Sequence, residues 1–350
     1  MSINAYREVI AASSRERLDL FLTTANRLGT PVGNIEKDFW VCWTLNTLYH
    51  RLPKGGPRLL FKGGTSLSKA YGLIQRFSED IDVTVFREDL GQAASVEELQ
   101  ELSGNKRRAR LDAIRDACRA YVTGDLRNAL TAALAEDTSG AGKIDVDEED
   151  SDGQTLLIWY PEVEPRDADY VRPAVRIESG AKSALDPNRD VVIEPYVADD
   201  AEGLELAVPQ VTTIEPGRTF WDKVIIVHGL RRWFERRGVL RQEGQRISRH
   251  YYDLHCLKAS EPGQTALIDV AMAKDCVEHA RTFFDRVDFD LASAKSGTFA
   301  IRPSRDMVAP LRRDYANTMA MIFGAAPEFD SILASMAELE TIANKNQGAA

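Results

Sequence analysis

Residues 62–69 read Lys-Gly-Gly-Thr-Ser-Leu-Ser-Lys, and residues 77–83 read Phe-Ser-Glu-Asp-Ile-Asp-Val. Asp80 and Asp82 flank Ile81, and Val83 and Val85 continue the apolar alternation. Side chains of a β-strand alternate between its faces. The two carboxylates are therefore expected on one side, with Ile81 and Val83 in a core on the other. Adjacent carboxylates repel unless a cation lies between them, and a hard divalent ion, Mg2+ above all, suits oxygen ligands. Upstream, Gly63, Gly64, Thr65 and Ser66 offer small side chains and backbone N–H groups ahead of a helix expected to start at Leu67. A helix N-terminus favours an anion, so this turn is suited to phosphate. Asp-x-Asp alone is common in solvated edge strands, and Gly-Gly alone usually marks a turn. Together, with apolar residues in phase, they predict a phosphate site followed by a two-carboxylate metal site. Nucleotidyl transfer needs that pairing.

Working outward, Leu59-Leu60-Phe61 reads as a short buried strand leading to Gly63, with a helix over 67–74 and the carboxylate strand over 81–86. Helical periodicity covers 3–28, ending at Gly29, and again 34–51, where Trp40 and Trp43 read as core. A charged helical pattern fills 91–135, and the acidic stretch 136–153 reads as a mobile connection or an exposed hairpin turn. Strand patterns return at 155–160, 171–178 and 190–197. From Thr219 the pattern is helical, over 219–237, 244–258, 265–285 and 305–340. The expected class is α+β, with a catalytic lobe over 1–215 carrying a helical insertion at about 91–153, and an α-helical lobe over 216–350.

The 350 residues are 44% hydrophobic and 28% charged, ordinary globular composition for a chain long enough to form two lobes. No apolar run approaches a membrane span, and the N-terminus lacks the apolar core of a signal peptide. Cys42, Cys118, Cys256 and Cys276 show no Cys-x-x-Cys spacing, which argues against a zinc site or a disulfide framework and suits a reducing cytoplasm. The net charge of −10 opposes indiscriminate nucleic-acid binding. Its distribution is uneven: residues 136–152 carry eight acids against one lysine, and 231–250 carry seven arginines against two glutamates. Arg231, Arg232, Arg236 and Arg237, with Trp233 and Phe234 among them, suit contact with an RNA backbone and its bases. The alternative is a solvated helix whose arginines pair with the protein's own acids.

The two glycine and carboxylate stretches resemble the DNA polymerase β-type nucleotidyltransferase superfamily. More closely, Phe61 to Leu67 together with Arg76 to Asp82 resemble the AbiEii-like toxins of abortive-infection toxin–antitoxin pairs. Two further stretches, 218–224 (Arg-Thr-Phe-Trp-Asp-Lys-Val) and 249–254 (Arg-His-Tyr-Tyr-Asp-Leu), carry the same resemblance. The resembling islands span about 30–260, and 91–160 and the C-terminal stretch match nothing placed. The resemblance implies a polymerase β-type sheet and places Lys223 and Asp253 in the active site. It also implies an NTP substrate and a cognate antitoxin, for which a winged-helix DNA-binding protein is the expected form.

Roles follow for individual groups. Asp80 and Asp82 are expected to hold Mg2+, with two ions in the fuller version of the chemistry. Glu178, on the polar face of its strand, is the candidate third carboxylate, and Glu194 competes with it. The phosphates are expected on Gly63, Gly64 and Thr65 and on the hydroxyl of Ser66. Lys69 adds charge near them or is a solvated helix lysine. Ser78, two residues before Asp80, should turn its hydroxyl to the same nucleotide site. Lys223 is expected to contact the triphosphate, and Asp253 to orient it or act on the acceptor; the two as a buried pair locking two helices is the alternative. Arg249 is a further phosphate candidate, and His250 reads as structural. The leading function is transfer of NMP from an NTP to an RNA acceptor such as a tRNA 3′ end, halting translation. A transferase acting on a small antibiotic-type acceptor, and a non-catalytic binding protein on the same scaffold, stand as alternatives.

Overall fold

Leu59, Leu60 and Phe61 are buried inside a seven-stranded sheet, in a computed structural model that describes residues 2–78, 80–163, 173–241 and 246–345. The strands are β1 (Leu59–Lys62), β2 (Asp80–Val85), β3 (Lys143–Val146), β4 (Thr155–Trp159), β5 (Ala174–Gly180), β6 (Asn188–Ile193) and β7 (Val208–Ile214). Their order across the sheet is β3-β4-β5-β2-β1-β7-β6. β2 runs parallel to β5 and antiparallel to β1, which runs parallel to β7. Ile81, Val83 and Val85 are fully buried on the core face, as their alternation predicts.

Two strands lie outside the sequence expectation. β3 itself is not expected from the sequence, but it falls in the acidic stretch read as a mobile connection or an exposed hairpin turn; with β4 it forms a hairpin, the second of those readings, whose turn is tied by its own acids. Asp150 accepts from the Gln154 N–H and the Thr155 hydroxyl, each at 2.8 Å, and Asp147 accepts from the Glu149 N–H at 3.0 Å. β7 contains Pro209, and Gln210 adopts a positive φ, so it carries no clean alternation. Residues 171 and 172 of an expected strand lie outside the described residues.

The helices also differ at their ends. The expected 3–28 helix is two, Ser2–Ala11 and Ser14–Leu28, because Ser13 and Glu16 form a reciprocal capping box that starts a new helix. The helix before β2 begins at Gly63 instead of Leu67 and ends at Lys69. The 265–285 pattern divides into Glu261–Ile268 and Val270–Phe283, the second capped by Asp269; the 305–340 pattern divides into Arg305–Met319 and Phe329–Lys345.

The chain divides into two compact units. The first comprises Met1–Ala70, Phe77–Ala94 and Gly104–Ile214, and holds the whole sheet. Its Val32–His50 helix is buried along nearly its entire length, with Trp40 stacked on Tyr160 and Trp43 donating to Asp137 at 2.8 Å. The second unit comprises Tyr71–Arg76, Ser95–Ser103 and Glu215–Ala350. It is helical, built around Pro216–Arg237 and Arg249–Ala259. Among the described residues no helix is long and apolar enough to cross a membrane. The four cysteines are free, and Cys42, Cys118 and Cys276 are buried.

Candidate active site

Strand pairing places the charged groups of the first unit in rows. Lys62 of β1 pairs with Asp82 of β2, and Asp82 pairs with Glu178 of β5. One step along, Asp80 pairs with Arg176. Paired residues share a face, so Lys62, Asp80, Asp82, Arg176 and Glu178 lie on the face opposite Ile81 and Val83. Of the two candidate third carboxylates, Glu178 is beside Asp82 in register. Glu194 follows β6 at the far edge of the sheet and is exposed.

Gly63 is locked against this row. Its φ is +80°, and a β-carbon on it would meet Oδ2 of Asp82 at 1.9 Å. Only glycine lets the turn and the carboxylate approach this closely. Thr65, buried behind the turn, donates its one hydroxyl proton to the Asp80 carbonyl and accepts from the Ser78 hydroxyl, the latter at 2.8 Å. Ser78 is thereby joined to the glycine turn through Thr65.

Two residues expected to face phosphate do not reach out for it. Because the helix begins at Gly63, Ser66 falls within its first turn; it is fully buried and donates to the Gly63 carbonyl at 2.9 Å. Lys69 is neither solvated nor turned to the glycines. Its ammonium is buried 2.5 Å from Asp38, donates to the Glu194 carbonyl at 3.1 Å, and lies 3.3 Å from the centre of the Tyr196 ring. Burial would lower its pKa, but the Asp38 carboxylate prevails and raises it. Lys69 fastens the helix to its surroundings.

In the second unit, Asp253 is fully buried and holds two cations. Arg76 makes a forked contact, Nε to Oδ1 at 2.8 Å and Nη2 to Oδ2 at 2.9 Å, while Lys223 Nζ lies 2.7 Å from Oδ2. Burial alone would raise the Asp253 pKa, but Arg76 and Lys223 hold it well below the usual carboxylate range. Lys223 is lowered by burial, against Asp253 and with Arg76 as a second positive neighbour. His250 is pushed far below its ordinary value by burial and then by Lys223 and Arg249, which leaves it neutral. Arg76 is the member that sequence reasoning left without a role, although it lies in the quoted motif four residues before Asp80.

The arginines of the Pro216–Arg237 helix all have partners in the chain. Arg231 and Arg232 both pair with Glu235, at 2.6 and 2.9 Å, and reach the carbonyls of Arg302 and Thr298. Arg236 donates to the Val287 carbonyl at 2.5 Å, and Arg237 pairs with Asp288 at 2.6 Å. Arg236 and Arg237 are exposed, whereas Arg231, Arg232 and Arg249 are half-buried.

Asp80, Asp82 and Glu178 supply an all-oxygen donor set, which fits Mg2+. Among the described residues no three carboxylate, histidine or cysteine groups are already gathered to hold an ion. Glu178 is engaged elsewhere, 2.6 Å from Arg176.

The family described as "Nucleotidyl transferase AbiEii toxin, Type IV TA system" matches residues 46–335, a span that contains Gly63, Asp80, Asp82, Lys223 and Asp253. The chain belongs to the AbiEii nucleotidyltransferase toxin family. It is thus a nucleotidyltransferase of a toxin–antitoxin system. Among solved structures it is similar to MenT4, a nucleotidyltransferase toxin from Mycobacterium tuberculosis H37Rv. That match is 16% identical, covers 93% of this chain and 89% of the other, and has a TM-score of 0.49. No curated protein matches the chain.

Proposed function

We propose that this AbiEii-family protein transfers a nucleoside monophosphate from an NTP to an RNA acceptor, a tRNA 3′ end in the simplest case, and so blocks translation. The observation that carries the catalytic part is the approach of Gly63 to Asp82, which joins a backbone turn suited to phosphate to a carboxylate row. Asp80 and Asp82, with Glu178, would hold Mg2+. When bound, that ion neutralises the triphosphate and favours in-line attack on the α-phosphorus. Gly63 and Gly64 offer backbone N–H groups to the phosphates; Thr65 and Ser78 fix the turn to the start of β2; Ser66 and Lys69 hold the helix behind it. Positioning and charge stabilisation dominate such chemistry, so a fixed turn beside a carboxylate row is what the reaction asks of the protein. Lys223 and Asp253 are assigned to the reaction on the family resemblance, with Arg76 completing their cluster.

RNA as acceptor draws support from Arg236 and Arg237. Arg237 sits in an exposed ion pair with Asp288, worth about 0–1 kcal/mol, and Arg236 gives an exposed hydrogen bond to the Val287 carbonyl, so both can exchange their present partners for phosphates. Arg231 and Arg232, half-buried and shared with Glu235, are more firmly held, and Arg249 remains a further phosphate candidate. The internal pairing of Arg231, Arg232, Arg236 and Arg237 is the observation that keeps a small-molecule acceptor as the second reading. A cognate antitoxin is the partner the family implies, and we propose a winged-helix DNA-binding protein as its form.

The test is incubation with each labelled NTP and Mg2+, with total RNA, tRNA alone, or small antibiotic acceptors. Label entering the tRNA band in the wild type and not in Asp82→Asn supports the proposal. Label entering only a small acceptor overturns its RNA part.

A further inference from the structure

The Pro216–Arg237 helix ends at Gly238, whose φ of +70° turns the chain, and Arg241 folds back over the last turns of the helix. Its guanidinium carbon lies 5.1 Å from the centre of the Phe289 ring and 6.0 Å from a ring centre of Trp233. The two rings meet edge to face with centroids 6.4 Å apart, and Arg237 lies 5.5 Å from Trp233. Phe289 closes the short turn Val287–Phe289, which follows the exposed Arg286. Burial, and then the like charge of Arg286, lower the pKa of Arg241. The four arginines on the helix have acceptors in the chain, whereas the guanidinium groups of Arg241 and Arg286 have neither a hydrogen bond nor an ion pair among the described residues. Asp288 is taken by Arg237, and Asp285 pairs with neither of them. The indole N–H of Trp233, shielded from solvent, has no acceptor either. Three donor groups thus meet at two aromatic rings with no acceptor among them.

We propose that this cluster is a subsite for one unpaired nucleotide of the RNA acceptor, its base stacking on Trp233, Phe289 and Arg241 and its phosphate clamped by Arg241 and Arg286. A phosphate diester accepts hydrogen bonds and donates none, and its negative charge relieves the repulsion between the two guanidinium groups. Bases stack on aromatic rings and on guanidinium planes, so the rings ask for an unpaired base, which charge alone would not. Phe234, the other aromatic of the arginine-rich stretch, is buried and takes no part. A duplex keeps its bases in its own stack and cannot fill the site, so the segment engaged here is single-stranded. This rests on the reading of RNA as the acceptor.

Fluorescence anisotropy with a labelled short oligoadenylate, in EDTA and without NTP, reads this site apart from the metal chemistry. Trp233→Leu should weaken binding about fivefold or more, the scale for one stacked base, and Trp233→Phe should restore most of it. Arg286→Gln should also weaken binding and lower the slope of log affinity against log salt by about 0.7, the share of one phosphate in a single strand. Its melting temperature should stay level or rise, because a like charge beside Arg241 is gone. Arg286 has no side-chain partner among the described residues, so its variant decides even where Trp233→Leu folds poorly. Wild-type affinity in folded Trp233→Leu or Arg286→Gln overturns the proposal. So does a wild type that binds no oligoadenylate, or one that binds its duplex with oligouridylate equally well. Displacement by polyglutamate as readily as by unlabelled oligoadenylate would assign the cluster to an acidic protein partner and also overturn it. Transfer of label to tRNA that persists while these variants bind normally removes the subsite and leaves RNA as the acceptor. Label entering only a small acceptor overturns both.

Discussion

Oδ2 of Asp82 occupies the space that a β-carbon on Gly63 would fill, 1.9 Å from its ideal position. The turn and the carboxylate are therefore one unit: neither can change without moving the other. Gly63→Ala meets two obstacles, the positive φ, which costs an alanine about 1–2 kcal/mol, and the displacement of Asp82. Gly29 has a comparable φ of +62° with open space around it. Gly29→Ala should lose only the φ cost of about 1–2 kcal/mol by denaturant titration and retain full transfer, while Gly63→Ala should lose more stability and transfer as well.

Asp80→Asn and Asp82→Asn should each lower NMP incorporation by at least about 10²- to 10³-fold, the scale for removing one preorganised electrostatic group. Neither should lower the melting temperature appreciably, because each removes one of two repelling charges. Incorporation near the wild-type rate in either variant would remove these carboxylates from the reaction.

Asp253 balances two buried cations, so its loss should be felt in the fold. Asp253→Asn leaves Arg76 and Lys223 without a counter-charge, and urea unfolding should show a loss of about 3–5 kcal/mol. Lys223→Met leaves Arg76 with Asp253 and should cost less. If Lys223→Met keeps the wild-type stability and loses transfer, the lysine serves the reaction and not the packing of the two helices.

His228 gives the second unit a pH dependence. Burial pushes its pKa down to about 4, and its Nδ1 accepts the Ala300 N–H at 3.0 Å, which requires the neutral ring. A histidine depressed in the folded state contributes stability that is complete above its unfolded value near 6.5 and is lost as the pH falls towards 4. The amount is about 3 kcal/mol. Melting temperature should drop across that interval, and His228→Gln should flatten the drop.

Neutralising Arg236 and Arg237 together should weaken tRNA binding and reduce the slope of log affinity against log salt by roughly 1.5, since fewer counterions are released. NTP affinity should remain the same. Arg231→Gln and Arg232→Gln should instead lower the melting temperature, through Glu235 and the 298–302 carbonyls. An unaltered salt slope in the Arg236 and Arg237 double variant would assign those arginines to internal pairing.

The parts of this structure that sequence reveals are those governed by local period. The β2 alternation around Asp80 and Asp82 reads directly, because each residue's face follows from its neighbour's. β7 does not read, since Pro209 and the positive φ of Gln210 interrupt the alternation. The capping box at Ser13 and Glu16 was present as a Ser-x-x-Glu spacing, masked by continuous helical periodicity on either side. Groups whose partners are remote in sequence were illegible: Lys69 with Asp38, Arg76 with Asp253, Arg176 with Asp147. Nothing local distinguishes a buried, paired lysine from a solvated one.

Lys69 holds the helix behind the glycine turn by three contacts at once, to Asp38, the Glu194 carbonyl and the Tyr196 ring. Sliding or rotating that helix would strand a buried ammonium, so the turn exists in one arrangement before any nucleotide arrives. On the proposed reading of that turn as the phosphate site, ligand association carries little ordering entropy for the backbone there. In amide hydrogen exchange, the N–H groups of residues 65–69 should be protected to nearly the same degree with and without nucleotide.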